Sequence, residues 1–166
     1  MNRIEKGSLL VLAIIVAFNI FFGLGSIPLL DPDEPVYAET AREMIQFNDY
    51  LSPRIYNEYW FDKPPMYYWL VAGAMHVFGD GEFAARFPAA LMAFLTVIML
   101  YCSITRLFNE RAGFWSALVL ATSVQFFYLG KAAVTDTTLL FFLTGSLLCY
   151  LHKQYWLCLL YTSPSP

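Results

Sequence analysis

Charge is what this sequence has least of. Asp, Glu, Lys and Arg make up 14% of its 166 residues, against about 25% in a soluble chain. Hydrophobic residues supply 58%, more apolar surface than one soluble core of this length can bury. The net charge of −3 lacks the basic footprint that nucleic-acid binding requires. Cysteine is scarce too. Cys102, Cys149 and Cys158 lie inside apolar runs, with no C-x-x-C spacing and no secretory framework, and read as small buried hydrophobes. His76 and His152 stand apart and form no metal set. This composition fits a lipid bilayer as its solvent.

What is present begins with an apolar run over residues 8–30, behind Arg3 and Lys6 and interrupted by Asn19, Ser26 and glycines. It is too long for a signal-peptide core and lacks an A-x-A site, so it reads as an uncleaved first span. Polar character returns at Asp31-Pro32-Asp33-Glu34-Pro35. Residues 34–47 have an amphipathic helical pattern, with Tyr37, Ala41, Met44 and Ile45 on one stripe and Glu39, Arg42 and Glu43 opposite. Such a helix lies along a membrane surface. Residues 48–62 read as irregular and aromatic. Residues 64–78 are apolar but short, which suits a re-entrant or interfacial helix begun by Pro64-Pro65 and stopped near Gly79.

Three further spans are expected at 87–107, 112–129 and 137–151, the first two joined by a polar turn at Asn109-Glu110-Arg111. The fold class predicted is all-α and transmembrane, with about four spans plus amphipathic interfacial helices in a first outer loop, 31–83. Residues 1–157 form that N-terminal transmembrane part. Residues 158–166, polar and proline-rich, break the pattern and read as a non-native tail. The basic residues of the short loops favour a cytoplasmic N-terminus.

Ionisable groups gather at the outer edge in three places. Asp31, Asp33 and Glu34 follow the first span; Asp33 there suits a helix N-cap, and the clustered carboxylates equally suit a proton-transfer or metal site. Asp62-Lys63 precedes two prolines, where Lys63 either snorkels to headgroups or holds a phosphate. Lys131 and Asp136 precede the last span, with Asp136 as a cap or a site acid. Arg86 reads most simply as an interfacial anchor. The aromatics of the outer loop, among them Tyr37, Trp60 and Tyr67, form an interfacial belt and also permit carbohydrate binding.

In order, Asp33-Glu34-x-x-Tyr37-Ala38-Glu39-x-Ala41-Arg42-Glu43-Met44, then Asp62-Lys63-Pro64-Pro65-x-Tyr67-Tyr68-Trp69, then Glu82-Phe83-Ala84-Ala85-Arg86-Phe87-Pro88, resemble the N-terminal region of the ArnT-like and protein O-mannosyltransferase-like glycosyltransferases of the GT-C class. Lys131-x-x-x-x-Asp136 resembles that family's second acidic position. The resemblance implies transfer of a sugar from a polyprenyl-phosphate carrier to a lipid A-like, glycan or protein acceptor. The implied setting is the outer face of a bacterial inner membrane, with the first loop periplasmic or extracellular. It implies Asp33, Glu34 and Asp136 as catalytic acids and Lys63 as the carrier-phosphate ligand. Asp62 matches a residue that holds a divalent metal ion in some relatives, with Tyr37, Arg42 and Arg86 in support. Many ArnT-like members carry arginine where this chain has Val36, which leaves donor and acceptor open. The family's later spans and soluble domain complete its cavity, so these 166 residues alone are expected to be inactive. A transporter subunit or a lipid-binding scaffold are the other readings. Transport places charge at mid-bilayer, whereas the charges here gather in one outer loop.

Overall fold

The structure, a computed structural model, describes residues 3–30 and 32–154. They form seven helices and one short hairpin. The 158–166 tail and Cys158 lie outside the described residues.

Helix α1 (Arg3–Phe21) stops nine residues before the expected end of the first span. Residues 22–30 turn instead, through Gly23 at φ +69°, and their carbonyls are claimed by side chains from elsewhere in the chain, as described below. Leu12, Val16, Ile20 and Leu24, one every fourth residue, are buried as a single ridge.

Helix α2 (Asp33–Phe47) is the amphipathic helix expected there, burying Tyr37, Ala41 and Met44. It ends on Asn48 in the left-handed region at φ 50°, whose amide and that of Asp49 bond back to Ile45 O and Met44 O. Glu43, expected on the solvent side, is buried because its carboxylate accepts the Asn57 amide at 3.2 Å. That amide belongs to a hairpin within the stretch read as irregular: β1 (Arg54–Ile55) pairs antiparallel with β2 (Glu58–Tyr59). Tyr56 and Asn57 both have positive φ, the geometry of a two-residue turn that matches strand twist.

Helix α3 (Met66–Phe78) follows Pro65 and stops at Gly79 with φ +85°, so a short helix is present where one was expected. Tyr67, Tyr68, Val71 and Ala72 face inward against α2 and against α4 (Glu82–Leu107). Helix α4 begins five residues before the expected span and is the axis of the molecule. Its buried Ala84, Ala85, Ala89, Ala90 and Ala93 let neighbouring helices approach closely. Where the exit of α1 crosses its start, a Cβ on Gly25 would lie 2.9 Å from Phe83 Cβ, so the crossing demands glycine.

Helix α5 (Glu110–Thr122) is capped by Asn109, whose Oδ1 accepts the Ala112 amide at 2.9 Å. The third expected span is broken: α6 (Val124–Lys131) leaves α5 at 65°. Thr122 Oγ1 donates to Leu118 O just before the break, the back-bonding that bends helices. Helix α7 (Asp136–Leu151) packs on α4.

Among the described residues, α4 is the one helix long and apolar enough by itself to cross a membrane, and the bent α5–α6 pair passes the same test as a unit. The apolar part of α1 and α7 are shorter. Two cores result. One joins α1, α4, α5 and α6. The other joins α2, α3, the start of α4 and Ala133, and carries the polar end of the molecule.

Candidate active site

Arg86 is no interfacial anchor. It is 5% exposed and spends all five guanidinium N–H groups on the Glu34 carboxylate and three backbone carbonyls. Nε donates to Glu34 Oε1 at 2.9 Å and Nη2 to Oε2 at 2.7 Å, the planar fork of a bidentate pair. The other three bonds reach backbone carbonyls: Nη1 to Leu24 O (3.0 Å) and Ile27 O (2.7 Å), Nη2 to Pro28 O (2.9 Å). These carbonyls lie in the turn that follows α1, after Gly23 at positive φ, and have no helical partner of their own. Lys131 takes two more, Phe22 O at 2.7 Å and Asn19 O at 3.4 Å.

Glu34 is equally saturated. Oε1 also accepts the Ala133 amide at 2.6 Å, and Oε2 the Leu30 amide at 2.7 Å. Two oxygens with four donors have no lone pair left for a proton transfer. The expected catalytic Glu34 is therefore built as a clasp. It joins the exit of α1, the start of α2, the first turn of α4 and the loop before α7. Burial raises the Glu34 pKa, but the bonds from Arg86, Leu30 and Ala133 outweigh it and hold the carboxyl below its ordinary 4.5.

A depressed pKa gives stability that is complete above pH 4.5 and is lost as pH falls through the folded value. Thermal stability in detergent is expected to fall as pH drops below about 4.5, and less steeply for Glu34→Gln, which has no carboxylate to titrate. Parallel pH profiles for the two proteins would contradict this.

The clasp presents two other acids to solvent. Asp33 and Asp136 are each the first residue of a helix, α2 and α7, and both are exposed. Neither caps its helix: the N-cap positions are Pro32 and Thr135, without side-chain cap bonds. A carboxylate at a helix start is still favoured by the helix dipole. Asp31 lies outside the described residues.

Lys63 and Asp62 sit between the hairpin and α3, about half exposed, with Nζ 3.5 Å from Oδ2. Surface pairing of this kind holds a side chain weakly, so Lys63 can exchange its partner for a phosphate. Tyr37 is buried edge-on against Tyr67, ring centroids 5.2 Å apart, and tilted against Tyr68 at 5.9 Å. Burial, then the charges of Tyr37, Glu34 and Asp136, push the Tyr67 hydroxyl well above 10; burial, Tyr37 and Asp62 push Tyr68 up to about 12. The hydroxyls of Tyr67 and Tyr68 thus stay neutral, Tyr67 beside Tyr37 in the buried layer between α2 and α3. Arg42 faces away from it, bonded to Glu39 and bidentately to Asp80 at 2.7 and 3.0 Å, bracing α2 against the loop before α4. Among the described residues, no three His, Cys, Asp or Glu side chains gather to hold a metal ion, and the described partner of Asp62 is Lys63.

Sequence reasoning missed Ala133 as a clasp member and Lys131 as the cap of α1. Neither leaves a local signal: Lys131 donates to backbone carbonyls, and the Ala133 amide to a side-chain carboxylate, about a hundred residues away.

A helical protein with at least one described helix long and apolar enough to cross a membrane, and with a buried Arg86–Glu34 pair tying four segments together, is the class that these observations define. Residues 62–161 match the family model described as dolichyl-phosphate-mannose-protein mannosyltransferase, and the chain belongs to that family. It is 33% identical over 150 residues to the undecaprenyl phosphate-alpha-4-amino-4-deoxy-L-arabinose arabinosyl transferase of Yersinia enterocolitica, which covers 89% of this chain and 27% of the relative. A Proteus mirabilis protein of that description is 29% identical, with the same coverage. In structure it is similar to ArnT from Cupriavidus metallidurans, in the apo state and bound to undecaprenyl phosphate. Both have a TM-score of 0.83 and 26% identity, and cover 96% of this chain. The chain spans 29% and 28% of those two proteins.

Proposed function

We propose that this chain is the N-terminal part of a membrane glycosyltransferase that takes its sugar from a polyprenyl-phosphate carrier. The single observation that carries the reading is the likeness to relatives named for undecaprenyl-phosphate-linked sugar transfer. The exposure of Lys63, Asp33 and Asp136, which leaves a lysine and two carboxylates open to a ligand, supports the reading.

In the transfer, an acceptor oxygen forms a bond to the sugar's anomeric carbon as the bond from that carbon to the carrier phosphate breaks. The electron pair leaves on the phosphate. Lys63 is the fixed cation that stabilises this charge. Asp33 takes the acceptor's proton or orients the acceptor, and Asp136 is the second acid. Glu34 and Arg86 act through these residues as positioning groups. Tyr37 walls the site and Arg42 braces it. The acceptor class is a lipid, glycan or protein, at the outer face of a bacterial inner membrane, with the N-terminus cytoplasmic.

Membranes carrying the complete reading frame are expected to move labelled sugar from a polyprenyl-phosphate donor to an endogenous acceptor. Solute flux in reconstituted liposomes without any sugar transfer would replace this reading with a transporter.

A further inference from the structure

Lys131 has a charge that neither the clasp nor the proposed transfer uses. It closes α6, its Nζ bonded to Phe22 O and Asn19 O and 4.9 Å from the Phe127 ring centroid. Among the described residues no carboxylate pairs with it, whereas Arg86 and Glu34 neutralise each other.

Two cavities meet at this ammonium. One, about 340 Å³, lies between the exit of α1 and α6, with Leu24, Ile27, Leu30 and Tyr128 among its walls. Glu34 and Arg86 close its inner end. The other, about 560 Å³, runs down α1 along Ile14, Ile15, Phe18 and Phe22. Lys131 and Phe127 line both. Ile14, Phe18 and Phe22 are 60%, 66% and 67% exposed. The combined wall is apolar, with one uncompensated positive charge at the level where α1 ends. A soluble anion would match the charge and leave the groove open. An amphiphile with an anionic head fits both parts.

We propose that Lys131 and the groove beside α1 hold an anionic phospholipid of the surrounding bilayer, phosphate on the ammonium and one acyl chain along Ile14, Phe18 and Phe22. This site is separate from Lys63 and stands whether or not the sugar-transfer reading does. The lipid would seat the α1–α6 junction against the membrane at the level of the clasp.

The test is native mass spectrometry of the protein in detergent, titrated with phosphatidylglycerol or with phosphatidylcholine. Wild type is expected to prefer phosphatidylglycerol, and Lys131→Gln to weaken that lipid about fivefold, the equivalent of about 1 kcal/mol per basic residue at a lipid headgroup. Lys63→Gln should leave it unchanged. Because Lys131 also caps α1, two further variants separate binding from folding. Lys131→Arg keeps the charge and should keep the preference; Ile14→Trp fills the groove, leaves the lysine, and should lose it. Glycerol phosphate, which has the head without the chains, should not compete. Equal binding of the two lipids by wild type, or unchanged phosphatidylglycerol binding by both Lys131→Gln and Ile14→Trp, overturns the proposal. So does a preference seen in the 166-residue chain but absent from the complete reading frame, because a further segment of the polypeptide then fills the groove.

Discussion

Arg86→Met is expected to cost about 3–5 kcal/mol of folding stability, the usual result of removing one partner from a buried ion pair. The loss has two parts. Glu34, 3% exposed, keeps a charge with no cation beside it. The carbonyls of Leu24, Ile27 and Pro28 lose their donor at the same moment. Of these the Leu24 carbonyl is the buried one, and an orphaned buried group costs about 1–3 kcal/mol. Replacing both partners, as Arg86→Met with Glu34→Met, is therefore expected to restore only part of the loss. The charge problem is gone, yet the three carbonyls and the amides of Leu30 and Ala133 remain without partners. Arg86→Lys should rescue little, because an ammonium is a compact point donor and cannot reproduce a planar fork reaching five acceptors. Denaturant or thermal unfolding of the four proteins in detergent measures this directly. A loss below about 1 kcal/mol for Arg86→Met, the range of an exposed pair, would contradict the clasp.

The second large effect falls on chemistry and leaves the fold alone. Asp33→Asn, in the complete reading frame, is expected to lower sugar transfer by about 10²–10⁴, the usual contribution of a positioned general base. Lys63→Ala should lower it by about 10²–10³, the scale for removing one group that stabilises developing charge. Both side chains are exposed. Asp33 makes no cap bond and Lys63 makes one loose surface pair, so neither substitution should shift the unfolding midpoint appreciably. Glu34→Gln is the contrasting case. It sits next to Asp33 in sequence, yet its loss should appear first as instability, since the amide nitrogen of Gln would face N–H donors where the carboxylate accepted them.

How far the sequence reveals this arrangement depends on how local each cause is. The amphipathic stripe of α2 follows from Tyr37, Ala41 and Met44 on one helical face, and the Asn109 cap from residue type alone. The short helix after Pro64-Pro65 follows from its length and from Gly79. These features arise within a few residues of themselves. The end of α1 is local only in part. Gly23, Gly25, Ser26 and Pro28 weaken the helix there, but the carbonyls it leaves free are taken up by side chains 58 to 112 residues away. Arg86 is hidden for the converse reason. Placed before Phe87-Pro88, it looks like a flank of the next span, whereas α4 has already begun at Glu82 and buries it. The bend between α5 and α6 falls in a run with no proline or glycine, where periodicity carries straight through.

The site divides along the same line. Asp33, Asp62, Lys63 and Asp136 could be named because they recur at characteristic places in an ordered pattern. The distinction between Glu34 and Asp33 is invisible in that pattern: adjacent carboxylates differ only in which way the first turn of α2 points them. One meets Arg86 and the Ala133 amide, and the other meets solvent.

That difference is also the most direct test of the account. Sugar transfer and thermal unfolding should be measured on the same preparations of wild type, Asp33→Asn and Glu34→Gln, in the complete reading frame. The account predicts an unchanged midpoint with transfer lost for Asp33→Asn, and a lowered midpoint for Glu34→Gln. Full transfer by Asp33→Asn, or a Glu34→Gln protein as stable as wild type, would contradict it.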